Sequence, residues 1–313
     1  MQRAILGRTG LEVSRLGAGL VQIGSKDVGT AGRVLNEALD GGVTFLDTAE
    51  CYGRSEEFIG RTIAHRRTEF VLATKVGHAV GRESRPVDTD PEGNRAWTAQ
   101  TMRESIDRSL RRLKTDCVDL LQVHAYDTSW PLDDDVLQVL VDARQSGKVR
   151  FLGYSQEGNH AELAVRSGMF DTLQVSFSLI DQRPRLGLLA LARNEGVGII
   201  AKRPIANAAW GQSPAEDGGA GPRTNAQRTV AKLMAADGPI PAAPEDATAL
   251  ALGFVLAHPE VASAIIGTGN PDHMRHNISI VENQLPLPSE TVGELKRRYD
   301  RLGWTWEGME EGW

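Results

Sequence analysis

Short runs of apolar, mostly β-branched residues alternate along this chain with longer amphipathic segments, and this alternation most constrains its fold. Strands that alternate with helices predict βαβ units and a parallel sheet. Several runs are almost continuously apolar, as is typical of strands covered on both faces. Eight runs are predicted to be strands: Arg15–Leu20, Val43–Asp47, Phe70–Lys75, Val118–His124, Val149–Ser155, Thr172–Ser176, Val197–Lys202 and Ala262–Gly267.

The segments between these runs have helical spacing. In Thr98–Leu113 the apolar residues recur every three or four positions, and Asp133–Ser146 shows a similar stripe. Asn270 followed by Pro271 predicts an N-cap and the first residue of a further helix. Eight strands joined by helices fit a closed (β/α)8 TIM barrel. An open doubly wound sheet remains the alternative, because periodicity alone does not separate the two.

A chain of 313 residues is long enough for an α/β barrel in one piece. We therefore expect residues 1–313 to form a single domain, with 286–313 as a C-terminal tail packing on or near the active site. Two long connections, Val76–Trp97 and Arg203–Glu245, follow predicted strands. In a barrel both would lie at the C-terminal face, where barrel active sites are found.

Composition excludes several classes of function. A net charge of -6 gives no basic surface for nucleic acid, and no apolar run reaches the ~18 residues of a membrane span. The N-terminus lacks the apolar core of a signal peptide, so a cytoplasmic location is expected. Cys51 and Cys117 are too few for a disulfide framework. His65 and His78 lack partners at metal-ligand spacing, and no metal site is expected. The oligomeric state is not indicated.

Polar side chains close three consecutive predicted strands. Asp47 ends one strand, Lys75 the next and His124 the third, while Tyr52 follows in the loop after Asp47. Each residue alone has an ordinary explanation, such as a cap, a solvated charge or simple packing. All four at matched strand ends indicate a catalytic site at the C-terminal face of a barrel.

Carbonyl reduction is the chemistry that uses this set of side chains. A hydride reaches the carbonyl carbon, and a donor must protonate the oxygen, a task that a phenol of pKa near ~10 performs poorly. We expect the Lys75 ammonium, held by Asp47, to lower the pKa of Tyr52. His124 would orient the carbonyl and stabilise the developing charge.

The segment from Asp47 to Gly60 resembles the signature of the aldo-keto reductase family. The strands ending in Lys75 and His124, and the segment Gly147–Ser155, are similar to further family blocks in the same order. The resemblance covers nearly the whole chain. It implies a (β/α)8 barrel, NADP(H) bound extended across the C-terminal face, and the catalytic roles given above.

The resemblance also implies cofactor contacts. Ser155 corresponds to the serine that holds the nicotinamide carboxamide, and Gln156 follows it where the family usually has asparagine. The loop and helix start after the last strand resemble the segment that binds the adenosine phosphate. The expected cofactor-binding residues are Gly19, Asp47, Ser155, Gln156, Gln174, Lys202, Arg203, Gly267, Thr268, Gly269, His273 and Asn277.

Two departures concern the cofactor. Many relatives stack an aromatic ring on the nicotinamide where this chain has Lys202 and Arg203. Many also bind the 2′-phosphate with lysine and arginine where this chain has Gly267 and His273, so Arg275 or Arg223 is a candidate for that charge. NADP(H) is favoured, and NAD(H) remains possible.

The expected activity is NADP(H)-dependent reduction of an aldehyde or ketone to an alcohol, or the reverse, on a small-molecule carbonyl or alcohol substrate. One alternative is a cofactor-binding regulatory subunit with little turnover. Another is a sugar or alcohol dehydrogenase on the same barrel. A Schiff-base aldolase using Lys75 or Lys202 is less favoured. The identity of the substrate is not indicated.

Overall fold

The computed structural model describes residues 1–80, 86–87, 98–124, 134–206, 209, 222–236 and 238–302. Eight parallel strands close into a barrel in chain order, so the predicted (β/α)8 fold is confirmed and the open sheet is excluded. All eight predicted strands are present. The barrel strands are β3 (Leu16–Gly19), β4 (Phe45–Asp47), β5 (Val71–Val76), β8 (Val118–His124), β9 (Val149–Ser155), β10 (Thr172–Ser176), β11 (Gly198–Lys202) and β12 (Val261–Gly267).

Helices surround the barrel, and both helices predicted from apolar spacing are present. The Asn270 side chain accepts a hydrogen bond from the Asp272 amide at 2.9 Å, which confirms the predicted N-cap. The helices are α1 (Val28–Asp40), α2 (Ser55–Thr62), α3 (Ala99–Leu113), α4 (Asp134–Gln145), α5 (Gly158–Arg166), α6 (Leu188–Asn194), α7 (Pro222–Ala235), α8 (Ala247–Leu256), α9 (Pro271–Asn283) and α10 (Ser289–Leu302).

An antiparallel hairpin of β1 (Arg3–Ile5) and β2 (Glu12–Ser14) precedes the barrel. Its residues Leu6, Leu11 and Val13 are buried in one apolar cluster with side chains from the barrel strands. The hairpin therefore closes the N-terminal end of the barrel. Sequence periodicity did not indicate it, because each strand has only three residues.

The inward-facing side chains change from apolar to polar along the barrel axis. Successive side chains of a strand point to opposite faces, so residues two apart share the interior. The apolar inward residues belong to the cluster that the hairpin closes. The apolar inward residues are Phe45, Ala73, Leu120, Ile200 and Ile265. The inward positions two residues further along the same strands are Asp47, Lys75, Gln122, Lys202 and Gly267.

Two predicted connections have structure of their own. The segment Arg203–Glu245 contains α7, a helix that the sequence analysis did not predict. In the segment Val76–Trp97, the short strands β6 (Ala79–Val80) and β7 (Pro86–Val87) pair antiparallel.

The described part of the C-terminal tail includes α10, which packs on α7. None of the described residues 286–302 lines the large cleft at the carboxyl ends of the barrel strands. The tryptophans of the tail, Trp304, Trp306 and Trp313, lie outside the described residues. Trp97, at the end of the connection after β5, lies outside them as well. Among the described residues, no helix combines the length and apolarity needed to cross a bilayer.

A buried arginine joins α10 to α7. Arg298 is fully buried and donates to the Glu294 carboxylate at 2.8 Å. It also donates to the carbonyls of Leu233, Met234 and Gly238 at 3.2, 3.0 and 2.6 Å. One guanidinium thus satisfies a carboxylate, two C-terminal carbonyls of a neighbouring helix, which lack partners within their own helix, and the Gly238 carbonyl beyond the end of that helix.

We expect Arg298→Met to destabilise the fold by about 3–5 kcal/mol, because it leaves three carbonyls without their donor and removes the buried one of the two arginines that bond Glu294. Arg297→Met is the matched control, since Arg297 bonds the same Glu294 from a largely exposed position. Urea denaturation of both variants measures the difference. Equal losses of unfolding free energy in the two variants would show that the buried contacts of Arg298 stabilise the fold no more than the exposed contact of Arg297 does.

Candidate active site

A buried ion pair lies at the centre of the polar layer. Lys75 is 1% exposed, and its Nζ donates to Asp47 Oδ2 at 2.5 Å and to the Thr48 carbonyl at 3.0 Å. The same Nζ lies 3.4 Å from the hydroxyl of Tyr52. The loop after β4 therefore places Tyr52 within hydrogen-bonding distance of a lysine on β5.

Two amides hold the other oxygen of Asp47. Gln122 and Gln174 donate to Oδ1 at 2.8 and 2.9 Å, so both carboxylate oxygens have partners. Gln174, predicted as a cofactor residue, also accepts from Ser155 Oγ at 3.3 Å. Gln122 was not predicted. Its position two residues before His124 places it on the inward face, and that spacing could have identified it.

The ionisation of the pair follows from its surroundings. Burial alone would lower the pKa of Lys75, but Asp47 and Tyr52 outweigh burial, and the pKa lies above its ordinary value. Burial raises the pKa of the Tyr52 phenol, and the Lys75 charge opposes that rise without reversing it. The prediction of a net lowered Tyr52 pKa is therefore wrong. The contribution of Lys75 has the predicted sign, but desolvation is larger.

His124 is held in its neutral form. Desolvation in the cleft, followed by the charges of Lys75, His78, Lys202 and Arg203, lowers the pKa of His124 well below its ordinary value. Its ring lies edge-on to that of Tyr52, with centroids 5.7 Å apart. Tyr52 and His124, which are far apart in the sequence, thus face the same space.

Close backbone contact fixes the Tyr52 loop. Gly24 lies directly against it: a Cβ at that position would be 1.9 Å from the Tyr52 carbonyl oxygen, and the Gly24 carbonyl accepts from the Arg54 amide at 3.1 Å. Gly53 has a φ of 56°, in the left-handed region that favours glycine. The two glycines let the loops after β3 and β4 meet without a gap.

Adjacent glutamates at the start of α2, next to this loop, have opposite environments. Glu56 is 1% exposed and accepts from the Thr74 hydroxyl at 2.7 Å; burial raises its pKa despite that bond. Glu57 is partly exposed, and hydrogen bonds from Arg54 lower its pKa to about 2.

A cleft of about 550 Å³ opens above the polar layer, within the range of small-molecule sites. Lys75 lies beneath it. Gln156 does not line it, since its side chain accepts from the Glu157 amide. Nor do Thr268, Gly269, His273 and Asn277, which follow Gly267 along the chain. The predicted site residues that line the cleft are Gly19, Asp47, Tyr52, His124, Ser155, Gln174, Lys202, Arg203 and Gly267.

Two cations occupy the position where many relatives have an aromatic ring. Lys202 Nζ lies 3.1 Å from the Glu157 carboxylate and 3.4 Å from Ser155 Oγ. Arg203 donates to Ser176 Oγ at 3.0 Å and has a φ of 56°, a strained conformation for a residue with a side chain. Glu157 therefore holds both cations at the side of the cleft.

The opposite side of the cleft fits an extended anionic ligand. A Cβ at Gly267 would lie 3.3 Å from the Gly19 carbonyl oxygen and 3.9 Å from the Gln22 side-chain nitrogen, so the two glycine backbones and the Gln22 side chain bound the cleft there. The loop leads into the N-terminus of α9, where Pro271 has no amide N–H and the Asp272 amide donates to Asn270, so His273 is the first residue whose amide the N-cap side chain does not hold. Within α9, His273 is exposed and Asn277 is buried.

The charges near this loop differ from the prediction. Arg275 makes ion pairs with Glu37 and Asp272 at 2.7 and 2.8 Å. The Lys26 side chain instead packs on the loop, since a Cβ at Gly269 would lie 2.5 Å from its Cε. The side chain of Arg223 lies outside the described residues. Lys26 is therefore a cation beside the loop that leads into α9, and sequence spacing did not reveal it.

The fold is an eight-stranded parallel barrel with a polar cleft at the carboxyl ends of its strands, the position of the active site in barrel enzymes. The sequence profile of the Aldo/keto reductase family matches residues 15–300, and the chain belongs to this family. Members of this family use a nicotinamide cofactor to reduce carbonyl compounds, and the cleft described above fits such a cofactor.

Individual relatives agree with this membership. The chain is 34% identical to the uncharacterized oxidoreductase YrpG of Bacillus subtilis, over 91% of this chain and 92% of that protein. It is 29% identical to L-galactose dehydrogenase of Arabidopsis thaliana, over 93% and 92%. The holo form of aldo-keto reductase AKR11C1 from Bacillus halodurans superposes with a TM-score of 0.79 at 27% identity, covering 95% and 96% of the two chains.

We expect the stability difference between Glu56→Gln and the wild type to change with pH. A carboxyl with a raised folded pKa binds more protons when folded, so its contribution to stability falls as pH rises above 4.5. Glutamine has no such dependence. Between about pH 5 and about pH 8, urea denaturation should show the variant gaining stability relative to the wild type.

Glu57→Gln is the control, because a carboxyl with a pKa of about 2 is ionised in both states over most of this range. Its stability difference should stay nearly constant. A constant difference for Glu56→Gln as well would contradict the raised pKa.

Proposed function

We propose that this protein reduces a small aldehyde or ketone with NADPH, using Tyr52 as the proton donor. The observation that carries the proposal is the contact of Lys75 Nζ with both Asp47 Oδ2 at 2.5 Å and the Tyr52 hydroxyl at 3.4 Å. Family membership supports the reaction class, and the arrangement of these three side chains supports their roles.

Each residue has one task in this proposal. When bound, the reduced nicotinamide supplies the hydride for the carbonyl carbon. Tyr52 donates its proton to the carbonyl oxygen, and the Lys75 ammonium stabilises the phenolate left behind. Asp47 keeps that ammonium charged and in place. His124, neutral in the cleft, donates a hydrogen bond to the same oxygen and orients the carbonyl.

The cofactor-binding residues follow from the shape of the cleft. Ser155 and Gln174 would hold the nicotinamide carboxamide, since their polar groups meet at the cleft floor. The Gly19–Gly267 backbone would lie against the central phosphates, and the start of α9 would bind the adenosine end. Lys202 and Arg203 would border the nicotinamide.

We expect Tyr52→Phe to reduce the turnover of NADPH with a panel of small aldehydes by about 100-fold or more, because general acid catalysis contributes about that much. NADPH affinity, measured by fluorescence titration, should change little, since the phenol ring remains. Tyr299→Phe is the matched control, as it removes a hydroxyl from a buried tyrosine of α10. Wild-type turnover in Tyr52→Phe would overturn the proposed role.

The preference for NADPH is tested at Lys26. We propose that its ammonium contacts the 2′-phosphate, because its stem packs on the loop that leads into α9. Lys26→Met should weaken NADPH binding on the order of tenfold, about 1.4 kcal/mol, and leave NADH binding nearly unchanged. Arg275→Met distinguishes the alternative: selective loss of NADPH affinity in that variant alone would assign the contact to Arg275.

Oxidation of a sugar or other alcohol is the second candidate. It is favoured by the 29% identity to a protein named L-galactose dehydrogenase over 93% of this chain. The same side chains serve both directions, since phenolate Tyr52 would accept the proton that it otherwise donates. Assays with NADP⁺ and a panel of aldoses, beside the carbonyl panel, distinguish the two candidates.

A further inference from the structure

Three soft or borderline metal ligands meet in the cleft beside the proposed acid. Cys51 Sγ, a ring nitrogen of His78 and a ring nitrogen of His124 all lie within 4.8 Å of one another. Cys51 Sγ is 3.5 Å from His124 Nδ1. Cys51 and His78 lie in the loops after β4 and β5, and His124 ends β8, so sequence spacing gave no reason to group them.

We propose that Cys51, His78 and His124 form a binding site for a thiophilic divalent cation, with Zn²⁺ as the expected ion. One thiolate and two imidazoles are ligands that Zn²⁺ prefers, and three protein ligands leave a fourth position open. The proposed reductase chemistry gives Cys51 and His78 no contact with the reacting atoms. The cation site accounts for their convergence on His124.

The distances suit a tetrahedral ion. With a Zn–S bond of ~2.3 Å and a Zn–N bond of ~2.0 Å, tetrahedral geometry separates sulfur from nitrogen by about 3.5 Å. The observed separation of Cys51 Sγ and His124 Nδ1 is 3.5 Å. One edge of the coordination tetrahedron is therefore already formed without the ion.

The His78 ring must rotate before it can serve as the third ligand. The rings of His78 and His124 are stacked, with centroids 4.2 Å apart and planes 25° apart, and an ion cannot lie in both planes at once. His78 is half-buried and lines the open cleft, and ion binding requires its ring to turn toward the sulfur from that side. The open fourth position would face the cleft and hold water.

The surrounding charge limits the affinity. Lys75, Lys202 and Arg203 all act on His124 and oppose a divalent cation, while deprotonation of Cys51 on binding supplies one negative charge. With three ligands instead of four, we expect a dissociation constant on the order of micromolar. Such a site would bind Zn²⁺ reversibly.

The consequence for activity rests on the proposed function. An ion on His124 Nδ1 places a positive charge and its bound water in the cleft where the carbonyl would lie, so Zn²⁺ should inhibit the reductase in competition with the carbonyl substrate. Binding itself requires no turnover. It can therefore be measured on the full-length protein by a signal that does not depend on activity.

Cobalt titration of the full-length protein, dialysed against a chelator and kept under argon, provides that signal. Co²⁺ substitutes for Zn²⁺ and gives a thiolate-to-cobalt charge-transfer band with the intense visible bands of a tetrahedral site. We expect one equivalent to bind, with Zn²⁺ displacing it. Cys51→Ser should lose the charge-transfer band, and His78→Gln should raise the dissociation constant by at least about tenfold.

Cys117→Ser is the matched control, because Cys117 precedes β8 at the opposite end of the barrel. It should retain the complete spectrum. A band that persists in Cys51→Ser, disappears in Cys117→Ser, or fails to form with the wild type at millimolar Co²⁺ would overturn the proposal. Circular dichroism melting confirms that each variant is folded. A wild type with the cobalt spectrum but no carbonyl turnover would contradict the proposed function and still support the site.

Discussion

The structure depends on keeping one ammonium charged inside a protein barrel. Transferring a charge out of water costs several kcal/mol even after relaxation, so Lys75 needs a partner that is itself fully satisfied. Asp47 is that partner: one oxygen meets Lys75 and the other receives two amide donors. The apolar layer and the N-terminal hairpin close the barrel beneath the pair, which leaves the cleft as its open side.

This arrangement changes what the ammonium does for Tyr52. A buried phenol holds its proton more tightly, because phenolate is the form that burial penalises. The Lys75 charge opposes part of that penalty. In the proposed mechanism, Tyr52 therefore enters the reaction protonated, and the phenolate forms beside a cation that is already in position. Preorganisation of that kind lowers a barrier without requiring a free phenol of low pKa.

Much of the fold could be predicted from the sequence, because strands buried on both faces have a distinctive composition. The convergence of Asp47, Lys75 and His124 followed from their position at strand ends. Contacts between residues far apart in the sequence were missed: Gln122 of β8 on Asp47 of β4, and His78 beside Cys51. The pKa direction of Tyr52 was also missed, since the extent of desolvation depends on the packed structure. The short hairpin and α7 lacked a strong periodic signal.

The most direct test of the account is a double-mutant cycle on the rate of a single turnover, with Lys75→Met, Tyr52→Phe and the double variant at saturating NADPH and carbonyl substrate. If Lys75 acts through the phenol, each single variant loses about 100-fold or more, and the double variant is slower than Tyr52→Phe by no more than about threefold. If the two losses multiply instead, in variants that circular dichroism shows to be folded, the contact between Lys75 and Tyr52 is not the basis of the reaction.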